Sequence, residues 1–258
     1  MPARLVLTAL EGLPLILPGD DLAELILAAF EAAGLDLESG DVIAVAQKVV
    51  SKAEGRLVNL STLTPSAEAR ELGERSQKDP RLVQAILSES RRVLRVRPGL
   101  IIVRHRLGFV CANAGIDHSN VRGAWGEPED WVLLLPEDPD ASAQRMRDRF
   151  EAARGHSVGI LVIDSHGRAW RVGTVGVAIG LAGLPGVLDL RGQPDLYGYR
   201  LQTTDVGLAD ELAAAASALM GQAAEATPVI HIRGLRYPLR ESSVNELLRP
   251  ESQDLFKD

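Results

Sequence analysis

Three segments of this 258-residue chain carry polar side chains whose types and spacing could support chemistry. The first is segment 47–56 (QKVVSKAEGR), which follows an apolar run and contains Lys48 and Lys52. Lysine presents a compact positive charge to phosphate oxygens, so this pair predicts contacts to a phosphate group. The alternative is that both lysines are solvated residues at the end of a strand, and the segment alone does not decide between the two.

The second segment, 111–120 (CANAGIDHSN), combines small residues with side chains that carry oxygen. Asp117 and Asn120 supply the carboxylate and amide oxygens that hard divalent cations prefer, and Mg²⁺ typically shares such ligands with nucleotide phosphates. The alternative is a loop whose Asx side chains bond to their own backbone. Cys111 has no neighbouring base and His118 has no partner pattern, so we expect neither to be a reactive group.

The third segment is 160–168 (ILVIDSHGR), in which an apolar strand is expected to deliver Asp164 and Ser165 to its end. A carboxylate beside a hydroxyl at a strand end is a common arrangement in metal and phosphate sites. An aspartate-nucleophile phosphatase would need a second aspartate where His166 stands, which argues against that class. The chain lacks the GxxxxGK[ST] pattern, and the glycines of segment 173–183 lack dinucleotide-binding spacing, so neither kind of nucleotide motif is predicted.

The apolar patterns around these segments predict strands alternating with helices. The predicted strands are residues 4–10, the run VIAVA after Asp41, and residues 100–103, 131–135, 158–163, 173–183 and 229–232. The predicted helices are residues 21–34, a helix that starts at Asp79 and Pro80, residues 140–155 and 205–222, and a short last helix capped by Ser243 and Glu246. Residues 123–130 are expected to be an exposed connection. This order predicts an α+β or mixed α/β fold rather than a regular doubly wound sheet.

Composition and charge narrow the classes of function. The chain is 46% hydrophobic and 24% charged, which excludes disordered, collagen-like and disulfide-scaffold proteins. Its length fits a single module over residues 1–258, with room for two interleaved subdomains. The net charge of −7 argues against a nucleic-acid partner. A single cysteine, no apolar run long enough for a membrane span and no cleavable leader predict a cytoplasmic protein without a membrane partner.

Taken together, these segments resemble the coenzyme F420 γ-glutamyl ligase family, and the resemblance extends over nearly the whole chain. The matching blocks, in chain order, are EGLPLI, GDDLAELI, SKAEGR, KDPRLV, CANAGIDHSNV, LLPEDPDASA, GRAWRVGTVGVAIG, ADELAAAA and MGQAAE. So many blocks in one order are more specific than any single motif, and they weigh against the purely structural alternatives at the matched positions.

The resemblance implies an enzyme that adds L-glutamate to a lactyl-phospho-deazaflavin precursor, coenzyme F420-0, first by an amide bond and then through a γ-linkage. It implies GTP as the co-substrate, two divalent ions, Mg²⁺ or Mn²⁺, and a monovalent cation, K⁺. The implied fold is a family-specific mixed α/β arrangement in an intertwined homodimer, and is neither a P-loop nor an ATP-grasp fold. Some members carry a C-terminal flavin-reductase domain, which we do not expect in a chain that ends at Asp258.

Carried over by position, the resemblance implies site residues but no catalytic base. The implied nucleotide contacts are Leu13, Pro14, Leu15, Ile16, Lys52, Asn120, Met220, Gly221 and Gln222. The implied ligands are Asp117 and Asp164 for one metal, and Ser165 and Gln222 for a second. Gln222 is neutral where the family can have glutamate, which predicts a weaker second metal site. Gln47 and Lys48 stand where some members have Ser-Thr near the nucleotide, which leaves their roles open.

The chemistry agrees with the resemblance, because amide synthesis requires an activated carboxylate. An acyl phosphate formed from the γ-phosphate of GTP would supply that activation, with metals and Lys52 neutralising the phosphate charge. Two other functions compete with this one. The first is a metal-dependent phosphohydrolase that uses Asp117 and Asp164 without glutamate, and the second is a non-catalytic nucleotide-binding protein.

Overall fold

The computed structural model describes residues 4–254. Its helices are α1 (Leu22–Ala32), α2 (Gln47–Ala53), α3 (Ala67–Ser76), α4 (Pro80–Ser88), α5 (Pro139–Arg154) and α6 (Leu208–Met220). Its strands are β1 (Val6–Ala9), β2 (Val42–Ala46), β3 (Leu57–Asn59), β4 (Ser90–Arg97), β5 (Leu100–His105), β6 (Val110–Ala112), β7 (Trp131–Leu133), β8 (Gly159–Gly167), β9 (Thr174–Ala182), β10 (Leu188–Asp189), β11 (Asp205–Val206) and β12 (Val229–Arg233). The predicted mixed α/β class is therefore confirmed.

A five-stranded sheet in the order β1–β12–β2–β8–β9 forms the centre of the fold. β12 pairs antiparallel with both β1 and β2, whereas β2 pairs parallel with β8. β1, β2 and β8 consequently run in the same direction, and their carboxyl ends meet at one edge of the sheet. In open α/β sheets, ligands bind outside the carboxyl ends of the parallel strands, so this edge is the place to look for a site.

Helices cover both faces of the central sheet, because its inner strands are apolar on both sides. Ile43 and Val45 pack in one cluster with residues of α1 and α5, whereas Val42 and Ala44 pack on the opposite face with residues of α6. Successive side chains of a strand point to opposite faces, so a strand covered on both sides needs a continuous apolar run. The VIAVA sequence of β2 meets that need, and its first four residues are at most 1% exposed.

A second region, built from residues between β3 and β7, packs beside the carboxyl edge of the central sheet. Its sheet β4–β5–β6 carries α3 and α4, with Leu72, Ile86 and Val103 in the shared core. β3 and β7 form a separate antiparallel pair. The loop that follows β6 connects this region to the central sheet.

Several predicted elements start at the residue that the sequence indicates. The Asp21 side chain caps α1, and Asp79 caps α4. The strand predicted over residues 173–183 is confirmed as β9, and residues 123–130 are largely exposed, as expected. Ser243 caps a short 3-10 turn over Val244–Glu246, which is followed by another at Glu251–Gln253. The prediction for Glu246 is wrong, because its carboxylate binds Arg240 instead.

Other elements differ from the sequence prediction. α6 begins at Leu208 rather than at Asp205, because Asp205 and Val206 pair with β10 as a short strand. The sequence patterns missed α3, β4 and β6. β4 lies at the edge of its sheet and exposes most of its arginine side chains, so its apolar signal is weak. No helix within residues 4–254 is both long enough and apolar enough to cross a membrane.

Candidate active site

Five chain segments that contain predicted site residues come together at the carboxyl edge of the central sheet. Residues 13–16 follow β1, α2 follows β2, and Asp164 lies in the second half of β8. Residues 220–228 lead from α6 into β12, and the Pro228 carbonyl accepts a hydrogen bond from the backbone N–H of Ala46 at the end of β2 (2.8 Å). The loop of residues 113–120, which follows β6, faces this edge from the second region.

The segment with the two lysines is a helix, so the alternative of solvated residues at a strand end is wrong. α2 starts at Gln47 directly after β2 and turns Gln47 and Ser51 into the core, where they are 1% and 0% exposed. Residues four apart lie on the same helix face. Lys48 and Lys52 therefore project together from the neighbouring face, and both side chains are only partly buried.

Asp117 lies at the centre of the polar cluster. Its Oδ2 accepts a hydrogen bond from Gln47 Nε2 at 2.7 Å, and its Oδ1 lies 3.4 Å from Lys48 Nζ. The Ser51 hydroxyl donates to Gln47 Oε1 at 3.0 Å, which orients the amide so that its NH₂ group faces Asp117. Burial raises the pKa of Asp117 to about 6; the charge of Asp164 adds to the rise, against the opposing effects of Lys48 and Gln47.

The loop that presents Asp117 has an uncommon backbone. Residues 113–115 all have positive φ, at 49°, 54° and 63°. For a non-glycine residue such as Ala114, the left-handed conformation costs roughly 1–2 kcal/mol. Backbone hydrogen bonds beyond the turn hold it in place, since the N–H and C=O of Asp117 pair with the C=O and N–H of Leu133 at 3.0 and 2.9 Å. The loop therefore supports the Asp117 carboxylate at a defined position.

Asp164 and Ser165 lie within β8 rather than at its end, which corrects the sequence prediction. The pairing of β8 with β9 continues through these polar residues to Gly167, so the strand outlasts its apolar run. The Asp164 side chain is 12% exposed, and its Oδ2 lies 3.0 Å from Nε2 of His166. Residues two apart share a strand face, so His166 is placed to orient the Asp164 carboxylate.

Cys111 behaves as the packing residue that the sequence predicts. The thiol is buried, and burial together with the charge of Asp164 raises its pKa to about 12. A thiol with such a pKa remains protonated near neutral pH and is a poor nucleophile.

Ser165, on β8, and Gln222, on the turn after α6, are hydrogen bonded to each other. Ser165 Oγ donates to Gln222 Oε1 at 2.8 Å, and Gln222 Nε2 donates to Ser217 Oγ at 3.1 Å. The amide oxygen of Gln222 thus faces Ser165. The close approach of α6 to the sheet depends on Gly176, where a Cβ would lie 2.4 Å from the Ala213 carbonyl oxygen.

Two predicted nucleotide residues, Asn120 and Lys52, border the same cluster. Asn120 Nδ2 donates to the Ala223 carbonyl at 3.0 Å, which joins the loop after β6 to the segment after α6. Burial lowers the pKa of Lys52, and the neighbouring ammonium of Lys48 lowers it further, against the opposing charge of Asp117. The structure shows no hydrogen bond or ion pair from the Lys52 ammonium to any other part of residues 4–254, so this charge is available to an anion.

The remaining predicted nucleotide contacts lie on two turns beside the cluster. Among residues 13–16, Ile16 is buried in the core, whereas Leu15 is 89% exposed and accessible to a ligand. The turn that follows this segment is tied to the end of α2 by a hydrogen bond from Gly19 N to the Ala53 carbonyl at 2.8 Å. On the other turn, Met220 ends α6, and Gly221 redirects the chain with a φ of 76°.

The side-chain oxygens of the cluster are suitable ligands for divalent ions that also contact a phosphate group. Asp117 and Asp164 are close enough for the second to raise the pKa of the first, and a cation between them would relieve that repulsion. Ser165 and Gln222 add a hydroxyl and an amide oxygen. Residues 4–254 contain no group of three or more His, Cys, Asp or Glu side chains arranged to hold a metal. An ion here would therefore complete its coordination with water or phosphate oxygens, as Mg²⁺ commonly does.

Three supporting side chains lie outside the predicted set, namely Ser51, His166 and Ser217. Each makes a hydrogen bond to a predicted site residue or to the direct partner of one. The spacing of His166 and Asp164 along β8 is a signal that could have revealed their contact. Ser51 and Ser217 make hydrogen bonds with the side-chain amides of Gln47 and Gln222. The orientation of those amides is known only from the three-dimensional structure.

Comparison with known proteins extends these observations. A model of the family described as F420-0:gamma-glutamyl ligase matches residues 12–234. A protein of Methanothermobacter thermautotrophicus named coenzyme F420:L-glutamate ligase is 48% identical over 255 residues, which cover 97% of this chain and 98% of that protein. Proteins of the same name from Methanopyrus kandleri and Archaeoglobus fulgidus are 46% and 42% identical, and the matches cover 96% and 98% of this chain and 97% of each of those proteins. The similarity therefore includes all the segments that meet at the sheet edge.

Proposed function

Because the chain belongs to the F420-0:gamma-glutamyl ligase family, we propose that it is a GTP-dependent ligase that adds L-glutamate to the deazaflavin precursor coenzyme F420-0. The first glutamate is joined through an amide bond, and a second is added through a γ-linkage. The observation that carries this proposal is the meeting of Asp117, Asp164 and the Lys52 ammonium, which has no hydrogen bond or ion pair within residues 4–254, at the carboxyl edge of the central sheet. The two carboxylates suit the divalent cations that accompany a nucleoside triphosphate. The Lys52 ammonium suits its negatively charged phosphates.

GTP would lie between the turn after β1 and the turn after α6, with its phosphates toward Lys52. Divalent ions, Mg²⁺ or Mn²⁺, would be held by Asp117 with Asp164 and by Ser165 with Gln222. When bound, such ions neutralise phosphate charge and favour an in-line phosphoryl transfer. The buried Gln47 amide keeps the Asp117 carboxylate in one orientation before the ligands arrive.

The reaction consists of two bond exchanges between substrates. A carboxylate oxygen of the precursor attacks the γ-phosphorus of GTP, the bond from that phosphorus to the β–γ bridging oxygen breaks, and an acyl phosphate and GDP form. The amine of glutamate, after losing a proton, then attacks the acyl carbon, and phosphate leaves as the amide bond forms. Phosphoryl transfer of this kind depends mainly on positioning and charge neutralisation. The Lys52 ammonium supplies positive charge, and His166 holds the Asp164 carboxylate in place.

The resemblance described above also implies K⁺ as a monovalent cofactor, and we further infer an intertwined homodimer as the assembly and the cytoplasm as the location. Support for self-association comes from the hairpin between β10 and β11, whose Leu196 and Tyr197 side chains are 98% and 96% exposed. Neighbouring exposed apolar side chains can form part of an interaction surface. A second copy of the chain is the occupant consistent with a homodimer.

The proposal is tested by measuring phosphate release and glutamylated product in the same reaction. Purified protein is incubated with the precursor, GTP, Mn²⁺ and L-glutamate, and the products are identified by mass spectrometry. Equal amounts of phosphate and new amide bonds are expected, with phosphate release dependent on the precursor. Product masses give the number of glutamates added, and a parallel reaction with ATP measures nucleotide preference.

Two substitutions connect this reaction to the cluster. Asp164→Asn and Asp117→Asn should each abolish ligation, since loss of a metal carboxylate costs several kcal/mol of transition-state stabilisation. Asp148→Asn, at an exposed position on α5, is the matched control and should retain full activity. Rapid GTP hydrolysis without precursor and without amide product would instead indicate a phosphohydrolase. Nucleotide binding without turnover would indicate a non-catalytic protein.

A further inference from the structure

The ammonium group of Lys48 is surrounded by three oxygens from a single loop. Its Nζ donates to Ser119 Oγ at 2.7 Å and to the Ser119 carbonyl at 3.3 Å, and it lies 3.4 Å from Asp117 Oδ1. A hydroxyl, a carbonyl and a carboxylate oxygen are the kinds of ligand that alkali cations take in proteins. The group of oxygens from Asp117 and Ser119 is called here the oxygen cage.

The Asp117 part of the oxygen cage is held in place by contacts that do not involve Lys48. The backbone of Asp117 is paired with Leu133 through two hydrogen bonds, and its Oδ2 is bound by the buried Gln47 amide. Gln47 is in turn oriented by the fully buried Ser51 hydroxyl. Loss of the Lys48 side chain should therefore leave Asp117 near its present position, while the hydrogen bond from Asn120 to the Ala223 carbonyl anchors the residue next to Ser119.

The charges around the cage favour a monovalent occupant. The positive charges of Lys48 and Lys52 and the negative charge of Asp164 all act on the Asp117 carboxylate, so two positive and two negative groups balance to zero before any ligand binds. Lysine contributes a compact charge on a flexible stem, and the ammonium ion is close in radius to the potassium ion. Lys48 is thus positioned to supply the charge that a free potassium or ammonium ion would bring to these oxygens.

We propose that the Lys48 ammonium is a built-in monovalent cation of this site, occupying the oxygen cage in which a free potassium or ammonium ion would otherwise bind. Lys48 is then a positioning residue, whose charge neutralises the Asp117 carboxylate and whose ammonium group binds the Ser119 oxygens. The protein would then need no added potassium, although the resemblance of its sequence implies potassium as a cofactor. The inference rests on the proposed function only for its activity measurement.

Two substitutions of Lys48 distinguish the effect of its positive charge from the effect of the space that its side chain fills. Lys48→Ala empties the cage, whereas Lys48→Met removes the charge but keeps a stem that fills it. Each should lower kcat/KM for ligation by roughly 10- to 100-fold, as for loss of a charged hydrogen-bond partner. Potassium or ammonium chloride should restore activity to Lys48→Ala but not to Lys48→Met, and tetramethylammonium chloride at equal ionic strength should restore neither. The wild-type protein should be indifferent to the choice of salt.

A second measurement does not depend on catalysis. Thermal unfolding of the three proteins is followed in potassium chloride and in tetramethylammonium chloride, because an ion that binds only the folded state raises the unfolding temperature. Potassium should raise it for Lys48→Ala alone. Lys78→Ala, which removes a lysine that is no part of the cage, is the control and should show no potassium effect.

Several outcomes would overturn the inference. It fails if potassium neither stabilises nor reactivates Lys48→Ala, or if it stabilises the wild-type protein and Lys48→Met equally. A raised KM for GTP in Lys48→Ala that no cation corrects would make Lys48 a phosphate contact instead. Absence of ligation by the wild-type protein would refute the proposed function alone, since the unfolding measurement would still decide the role of Lys48.

Discussion

Replacing Asp117 by asparagine should stabilise the metal-free protein, although it removes a predicted metal ligand. Burial, with the charge of Asp164, raises the pKa of the Asp117 carboxyl from 3.8 to about 6. At about 1.4 kcal/mol for each pH unit between these values, the buried charge costs the fold about 3 kcal/mol. The side chain keeps 26% exposure, so solvent screening reduces the expected gain to about 1–2 kcal/mol.

The sign of the effect follows from the direction of the pKa change. A carboxyl whose pKa is raised in the folded state stabilises the fold while it is protonated. That contribution is complete below pH 3.8 and is lost as the pH rises through about 6. The gain from Asp117→Asn should therefore be largest at about pH 8 and should shrink steadily below about pH 6.

The measurement is urea unfolding of the wild-type protein and Asp117→Asn in the presence of a chelator, at about pH 5 and about pH 8. Asp148→Asn removes one exposed carboxylate and serves as the control for net charge. Adding Mn²⁺ at the higher pH should then stabilise the wild-type protein and not Asp117→Asn. If Asp117→Asn is less stable than the wild-type protein at the higher pH without metal, the buried carboxylate is not under the electrostatic strain described here.

Three further substitutions test the second metal pair, the nucleotide charge and the packing of α6. Gln222→Glu should lower the Mn²⁺ concentration that gives half-maximal ligation, because a carboxylate attracts a divalent ion more strongly than an amide does. A higher Mn²⁺ requirement would show that losing the amide hydrogen bond to Ser217 outweighs the added charge. Lys52→Ala should raise the KM for GTP, and Lys52→Arg should restore it only in part, because a planar fork does not replace a compact ammonium; unchanged GTP kinetics in both would remove Lys52 from the site. Gly176→Ala should reduce the free energy of unfolding by about 1–3 kcal/mol, because its Cβ would overlap the Ala213 carbonyl. Urea unfolding checks this against Gly167→Ala, where a Cβ meets nothing within 4 Å; equal stability of the two variants would contradict the close packing.

Much of the fold could be predicted from local sequence signals. The helix caps Asp21 and Asp79 and the strand VIAVA were recognisable because each depends on neighbours within a few residues. β4 was missed because an edge strand needs no apolar outer face. The insertion of β12 between β1 and β2 was also beyond local signals, because strand order is set by pairing between segments far apart in the chain.

For the site, the sequence by itself determined the chemical groups and the family, because residue types and ordered motif blocks are readable without coordinates. The predicted roles of these groups as metal and nucleotide ligands stay predictions. Only the tertiary structure decided which groups touch. Gln47 bonds to Asp117 across 70 positions, and Ser165 bonds to Gln222 across 57. Such contacts depend on the direction of the strands and on the close packing of α6 at Gly176, and neither is encoded in a local pattern.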